Sequence, residues 1–163
     1  MILETILVIS YFVIIYSTSI GYGYAFNSLF LKNTSHNSKG EIGIYGLFFL
    51  GFLSIFFNFF IPLNYLLNSI ICTIGITIFI FLSIYKKLSF KFINIFLFFL
   101  IIPTAILFEY HADYFWYHLP YVNIKSEFNI IFGLANLNDN LGYSHVWYDI
   151  ISTFNLPIYN TKY

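Results

Sequence analysis

Long apolar runs separated by short polar segments organise this chain. Four runs are present, at residues 2–26, 42–61, 66–85 and 92–108. A helix of about 20 apolar residues crosses the hydrocarbon core of a bilayer. The pattern therefore predicts an all-α polytopic membrane protein with four transmembrane helices in residues 1–108. Residues 109–163 are then an external segment.

The ends of the runs carry recognisable signals. The first run lacks the Lys/Arg-rich start and the small-residue cleavage pattern of a secretory signal peptide, so we expect a retained helix. Pro62 follows the second run and predicts a short turn. Pro103 interrupts the fourth run, where it predicts a kink near the outer end of that helix.

Composition supports lipid as the solvent. Hydrophobic residues make up 60% of the chain, charged residues make up 9%, and the mean hydropathy is +0.80. These values lie outside the usual range of a soluble domain. The net charge is zero, so the chain offers no basic surface for phosphates and we expect no nucleic-acid partner. Cys72 is the single cysteine and can form no intrachain disulfide.

The lysines predict the orientation in the membrane. Five of the seven lie in the loops after the first and third runs, namely Lys32, Lys39, Lys86, Lys87 and Lys91. The turn at Pro62 has none. Because loops rich in lysine remain in the cytoplasm, the external segment is predicted on the outer, periplasmic face.

Two patterns suggest packing. Gly40, Gly43 and Gly46 recur at every third residue and could admit a neighbouring helix, although glycine is also simply frequent in membrane helices. Between residues 122 and 132, apolar and polar residues alternate at helical spacing. The apolar set is Ile124, Phe128, Ile131 and Phe132, and the opposite set is Lys125, Glu127 and Asn129. This pattern predicts a short amphipathic helix in the outer interface, with an ordinary surface turn as the alternative.

Candidate chemistry is concentrated in residues 109–149. His111, Asp113 and His118 fall within eight residues and could bind a divalent cation, or the histidines could bond to backbone or water. Their spacing matches no strong metal signature, so we assign no metal ligands, and the sequence indicates no cofactor. Trp116 lies in a string of aromatic residues that is typical of an interfacial belt, or of a cleft in which rings stack on sugars.

Several motifs of this segment together resemble a known family. They are Asp113-x-x-x-Tyr117-His118-Leu-Pro120, then Phe132-Gly-Leu-Ala-Asn136-Leu, then Gly142-x-Ser144-x-x-Trp147, preceded by Gly46-Leu and Asn58-Phe-Phe-Ile-Pro62-Leu-Asn64. The set resembles the N-terminal part of a family of large bacterial multi-spanning membrane proteins. Their organisation is similar to that of GT-C glycosyltransferases, which take sugars from lipid-phosphate carriers.

The resemblance implies a role for specific residues. Asp113 would be the base that deprotonates the acceptor hydroxyl, while Tyr117 and His118 would orient it or contact the carrier phosphate. The predicted substrate-binding residues are Trp116, Asn136 and Trp147.

The implied function is glycosyl transfer from a lipid-linked sugar in envelope polysaccharide or glycolipid assembly at the bacterial inner membrane. Proteins of that family continue through further helices. The chain is therefore expected to be a fragment, a split gene product or one subunit among further membrane subunits. The alternative hypothesis is a non-catalytic membrane subunit or scaffold whose external segment binds a partner.

Overall fold

The computed structural model describes residues 2–31, 38–85, 114–142 and 145–157, and these residues form helices and turns without a strand. Among these residues there are five α-helices: α1 Ile2–Phe26, α2 Lys39–Asn58, α3 Tyr65–Tyr85, α4 Leu119–Glu127 and α5 Val146–Thr153. Single π-helical turns occur at Asn27–Leu31 and Tyr114–His118, and 3-10 turns at Leu134–Asn136 and Asp139–Gly142. The predicted all-α class is confirmed.

Three helical segments are long and apolar enough to cross a membrane. They are Thr5–Leu31, Lys39–Asn58 and Tyr65–Tyr85, and they correspond to the first three predicted runs. The predicted fourth helix and Pro103 lie outside the described residues. The chain is therefore a helical membrane protein, and its total of four spans stays a prediction.

Local side-chain bonds set the start of α2. The hydroxyl of Ser38 accepts a bond from the backbone N–H of Glu41 at 3.3 Å, and the Glu41 carboxylate accepts one from the Ser38 N–H at 2.8 Å. This reciprocal capping box satisfies two N–H groups that have no partner within the helix. The helix consequently begins at Lys39, before the apolar run.

Glycines bring the three long helices into close contact. The Cα of Gly46 packs against the backbone carbonyl of Ser19 on α1, so that a methyl group there would overlap it. Gly23 packs in the same way against the carbonyl of Ile42. A methyl group on Gly43 would instead lie 3.4 Å from the side chain of Ile20, an ordinary van der Waals distance. The predicted packing role therefore fits Gly46 and not its neighbour Gly43.

Between α1 and α3 the contact is again made by glycine. Gly21 faces Gly75 so closely that a Cβ on Gly21 would overlap the Gly75 carbonyl. The hydroxyl of Tyr22 donates to the carbonyl of Ile71 at 3.0 Å, one turn before Gly75 on α3. Small residues thus let α1 approach both neighbours, as expected where lipid offers no hydrophobic drive for association.

The C-terminal helices pack at the end of the bundle where α2 turns into α3. The N–H of Leu63, in that turn, donates to the carbonyl of Lys125 at 2.8 Å, and the N–H of Ile130 donates to the carbonyl of Asn58 at 2.9 Å. Helix α4, residue Ile130 and the Pro62 turn therefore lie at one end of the bundle. The side of the membrane on which this end lies stays a prediction.

Helix α5 is inserted between the long helices. Its residue Ile150, with Phe154 and Leu156 beyond its end, joins one buried core with residues of all three long helices. Val146 and Ile150 pack over Gly51, seven residues, or about 10 Å, inside the end of α2. Residues 146–156 thus form a non-spanning segment that packs inside the end of a candidate membrane span, and irregular backbone is tolerated there where protein surrounds it.

The predicted amphipathic helix is wrong in its bounds and in its placement of Lys125 on an open polar face. The helix is α4, with Pro120 in its first turn, and it ends at Glu127 rather than near residue 132. Lys125 is buried, whereas Phe128 and Phe132 are exposed. The reason is that α4 packs on the end of the bundle, where its lysine finds a buried acidic partner.

Candidate functional site

A buried ion pair joins α4 to α5. Lys125 is only 7% exposed and Asp149 only 2%, and the ammonium Nζ lies 2.5 Å from the carboxylate Oδ1. Burial raises the pKa of Asp149, while the hydrogen bond and the charge of Lys125 act in the opposite direction. A buried charge is costly unless it is paired, so each of these residues requires the other.

A column of rings extends from this ion pair. Tyr121, one turn before Lys125 on α4, places its ring 5.1 Å from the ammonium nitrogen. The ring of Tyr148 lies 4.9 Å from that of Tyr121 and 4.3 Å from the stacked ring of His145, measured between centroids. The hydroxyl of Tyr148 lies 2.5 Å from Nδ1 of His118. Two phenol and two imidazole groups therefore follow the charged pair in one continuous series of contacts.

A cavity of about 430 Å³ opens beside this cluster. Ile55 and Asn58 of α2 form one wall, residues 130–135 form a second, and the polar groups of Lys125, His145 and Asp149 face it from α4 and α5. The Oδ1 atom of Asn58 is buried and has no hydrogen-bond partner among the described residues. The volume and the mixture of apolar walls with few polar groups are typical of small-molecule sites.

Four of the six residues predicted from the sequence have described side chains, and these four do not gather at this cavity. Asp113 lies outside the described residues, and so does the side chain of Tyr117. Trp116 is 76% exposed, and Asn136 and Trp147 are exposed as well.

His118 is half-buried and reaches the cluster through Tyr148. None of the four predicted residues whose side chains the structure describes lines the cavity. The roles assigned to all six stay predictions.

The sequence did not identify the cluster that the structure shows. Helical periodicity predicts Lys125 on the polar face of its helix, and it does not bring His145, Tyr148 and Asp149 into one site. One signal was available, because Asp149 lies between Val146 and Ile151 in an apolar helical stretch, where an acid needs a partner. The residue that would supply it is 24 positions away, and sequence periodicity does not indicate contacts at that range.

Metal ligands are not assembled in the part of the chain that the structure describes. Within it, no three residues among His, Cys, Asp and Glu approach closely enough to hold an ion. His111 and Asp113 lie outside that part, so the sequence-level alternative of a cation near His118 is untested.

A protein-family model matches residues 5–163, nearly the whole chain, and its description is "Domain of unknown function (DUF8201)". No curated protein and no solved structure matches the chain.

Proposed function

The chain belongs to the DUF8201 family, and we propose that it binds a lipid-linked sugar in the cavity beside Lys125 and Asp149. In this proposal it acts as part of a GT-C-like glycosyltransferase in envelope polysaccharide or glycolipid assembly. Its location is the bacterial inner membrane, with the cavity on the periplasmic side. The resemblance of its motifs supports the reaction class, and the cavity supports the kind of ligand.

The observation that carries the proposal is the position of the cavity. It lies at the end of α2, where a helix capable of crossing the membrane stops at Asn58. A lipid-linked sugar presents its phosphate and sugar at this depth, while its chain remains in the hydrocarbon region. Polar groups of Lys125 and Asp149 can bond to the hydroxyl groups, and the exposed ring of His145 can stack on a sugar face.

The ion pair leads us to propose different roles for Asp149 and Asp113. Asp149 is held by Lys125, so it is a poor candidate for the base that takes a proton from an acceptor. Asp113, which the family resemblance implies as the base, is the acid proposed for that role. His118 is proposed to orient the reacting groups from the ring column.

One observation favours a second function, that of a non-catalytic membrane subunit. Asp149 carries the one carboxylate that is buried among the described residues, and it is paired with Lys125. Such a pair can serve only to hold α4 against α5, without taking part in a reaction. In that case the cavity is a binding site without chemistry, and transfer depends on another chain.

Photo-crosslinking of the full chain in proteoliposomes tests the binding site. The probe is a polyprenyl-phosphate sugar that carries a diazirine on the sugar. Ala135 is exposed and lines the cavity, so Ala135→Trp is expected to fill the cavity and remove most of the labelling. Leu137→Trp adds a ring two residues further along the same loop, outside the cavity, and is expected to label like the wild type.

The outcomes separate the two functions. Equal labelling of both variants would show that the probe does not occupy this cavity and would overturn the proposal. If labelling is lost only in Ala135→Trp, the variant Asp113→Asn is then tested in cells to distinguish a transferase from a non-catalytic subunit. Loss of surface glycan with intact membrane insertion supports the transferase, and unchanged glycan in that variant supports the subunit.

A further inference from the structure

We propose that residues 128–137, here called the interface loop, insert their apolar side chains into the lipid at the edge of the bilayer. The partner of this surface is lipid, at the boundary between headgroups and acyl chains, in the leaflet where α2 ends. The inference rests on the fold and is independent of the ligand proposed for the cavity.

Hydrogen bonds fix the interface loop at the level where α2 ends. The N–H of Ile130 donates to the carbonyl of Asn58 at 2.9 Å, and the Asn58 amide nitrogen donates to the carbonyl of Phe128 at 3.2 Å. The Asn129 amide nitrogen donates to the carbonyl of Phe60 at 3.2 Å. Since α2 is a candidate span up to Asn58, its end and the loop lie together at the membrane boundary.

The side chains of the interface loop are apolar and exposed. Phe132 and Leu137 are each 82% exposed, and Phe128 and Ile131 are also exposed. Residues 128–138 contain no charged side chain, and the next residue is Asp139. Large exposed apolar patches mark surfaces that contact a partner or a membrane.

The patch continues the outward face of α2, which identifies lipid as its occupant. Along α2 the side chains of Phe48, Phe52 and Phe56 are exposed at four-residue spacing, as on a helix that faces lipid. Phe59 extends this row past the end of α2, and its ring centroid lies 6.4 Å from that of Phe132. The row along α2 and the interface loop thus form one apolar surface.

The backbone of the interface loop suits the membrane boundary. Gly133 has a φ of +82°, a left-handed conformation that favours glycine, and it reverses the chain directly after Phe132. The N–H groups of Asn136 and Leu137 then donate to the carbonyls of Gly133 and Leu134 at 2.9 and 3.0 Å. These bonds matter because poorly hydrated backbone groups are costly when they are unpaired.

The position of the interface loop has a consequence for access to the cavity. Residues 130–135 line the cavity, and Phe132 among them is 82% exposed. If this side chain is in lipid, the cavity borders the bilayer. Ligands would then enter from the membrane rather than from bulk water.

Spin labels measure this arrangement directly. Phe132→Cys and the control Asp139→Cys are labelled with a nitroxide in a Cys72→Ala background of the full chain, in proteoliposomes. Power-saturation spectra then compare collisions with oxygen, which partitions into lipid, and with a water-soluble nickel chelate. The label at residue 132 is expected to collide more often with oxygen, and the label at residue 139 is expected to collide more often with the nickel chelate.

Two results would overturn the proposal. Equal nickel access at residues 132 and 139 would place the interface loop in water. Low access to both reagents at residue 132 would mean that protein covers the loop, either residues 86–113 or a second copy of the chain. Both labelled positions are exposed, and circular dichroism verifies that each variant keeps its helix content. A failed crosslinking experiment would leave these accessibilities unchanged, so the two proposals fail separately.

Discussion

The contacts among α1, α2 and α3 differ in kind from those that hold α4 and α5 against them. Gly21, Gly23 and Gly46 bring helix backbones together with no side chain between them. At the end of the bundle, by contrast, polar side chains bond to carbonyls of the irregular segments. The Asn68 amide nitrogen donates to the carbonyls of Ser152 and Asn155 at 2.7 and 3.1 Å.

The difference follows from the backbone in each region. A regular helix already satisfies its own N–H and C=O groups, so lipid-embedded helices gain mainly from close packing. The segments around α4 and α5 leave carbonyls without helical partners, and a buried carbonyl needs a donor. The ion pair of Lys125 and Asp149 adds charge to the second region only.

Removal of Lys125 is expected to have the largest effect. Lys125→Met leaves Asp149 buried and unpaired, and loss of one partner of a buried pair costs about 3–5 kcal/mol. The free energy of unfolding is measured in mixed micelles by denaturing-detergent titration. The double variant Lys125→Met/Asp149→Leu removes both charges and is expected to recover most of the loss. Equal stability of the single and double variants would show that the charge is not the cause.

The free energy of unfolding of the single variant Lys125→Met is expected to increase at acidic pH. Burial raises the pKa of folded Asp149 above its unfolded value, so its contribution to stability is full below the unfolded pKa and is lost as the pH rises through the folded pKa. Without Lys125, which lowers the pKa, this loss extends to higher pH. Titrations of Lys125→Met at pH 4, 5, 6 and 7 should show stability that rises toward acid. A flat profile would contradict the assignment.

An added methyl group at Gly46 is expected to have an intermediate effect. Gly46→Ala introduces a Cβ that overlaps the Ser19 carbonyl, and overpacking of this kind costs about 1–3 kcal/mol. Gly43→Ala is the matched control on the same helix, one turn earlier, where the new methyl group has ordinary contact with Ile20. The same micelle titration compares them, and a similar cost for both would contradict the role of close backbone approach.

Removal of the Tyr148 hydroxyl is expected to have the smallest effect on the free energy of unfolding. Tyr148→Phe removes its bond to His118 but keeps the ring stack, and a net hydrogen bond contributes about 0.5–1.5 kcal/mol. Tyr121→Phe is the control in the same column, because its hydroxyl has no recorded bond among the described residues. Nitrogen-15 NMR of His118 should show a changed Nδ1 shift in Tyr148→Phe only. An unchanged shift would mean that the bond does not form.

The sequence alone determined that the chain is a membrane protein and where its first three long helices lie. The apolar runs up to residue 85 became helices able to span a membrane, because length and hydropathy decide that property within each run. Lysine placement predicts an orientation in the membrane, and that orientation stays a prediction. These are local properties, and no contact between distant residues is needed to state them.

The tertiary structure alone decided how the elements meet. Helical periodicity groups residues on a face but does not say which face finds a partner, so Lys125 was assigned to the exposed side. Gly43 and Gly46 share one spacing pattern, and only the crossing of α1 distinguishes them. The ion pair, the ring column and the cavity depend on α5 entering the bundle. Asn68 contributes to that placement through the two carbonyls to which it donates, a match between residues more than 80 positions apart.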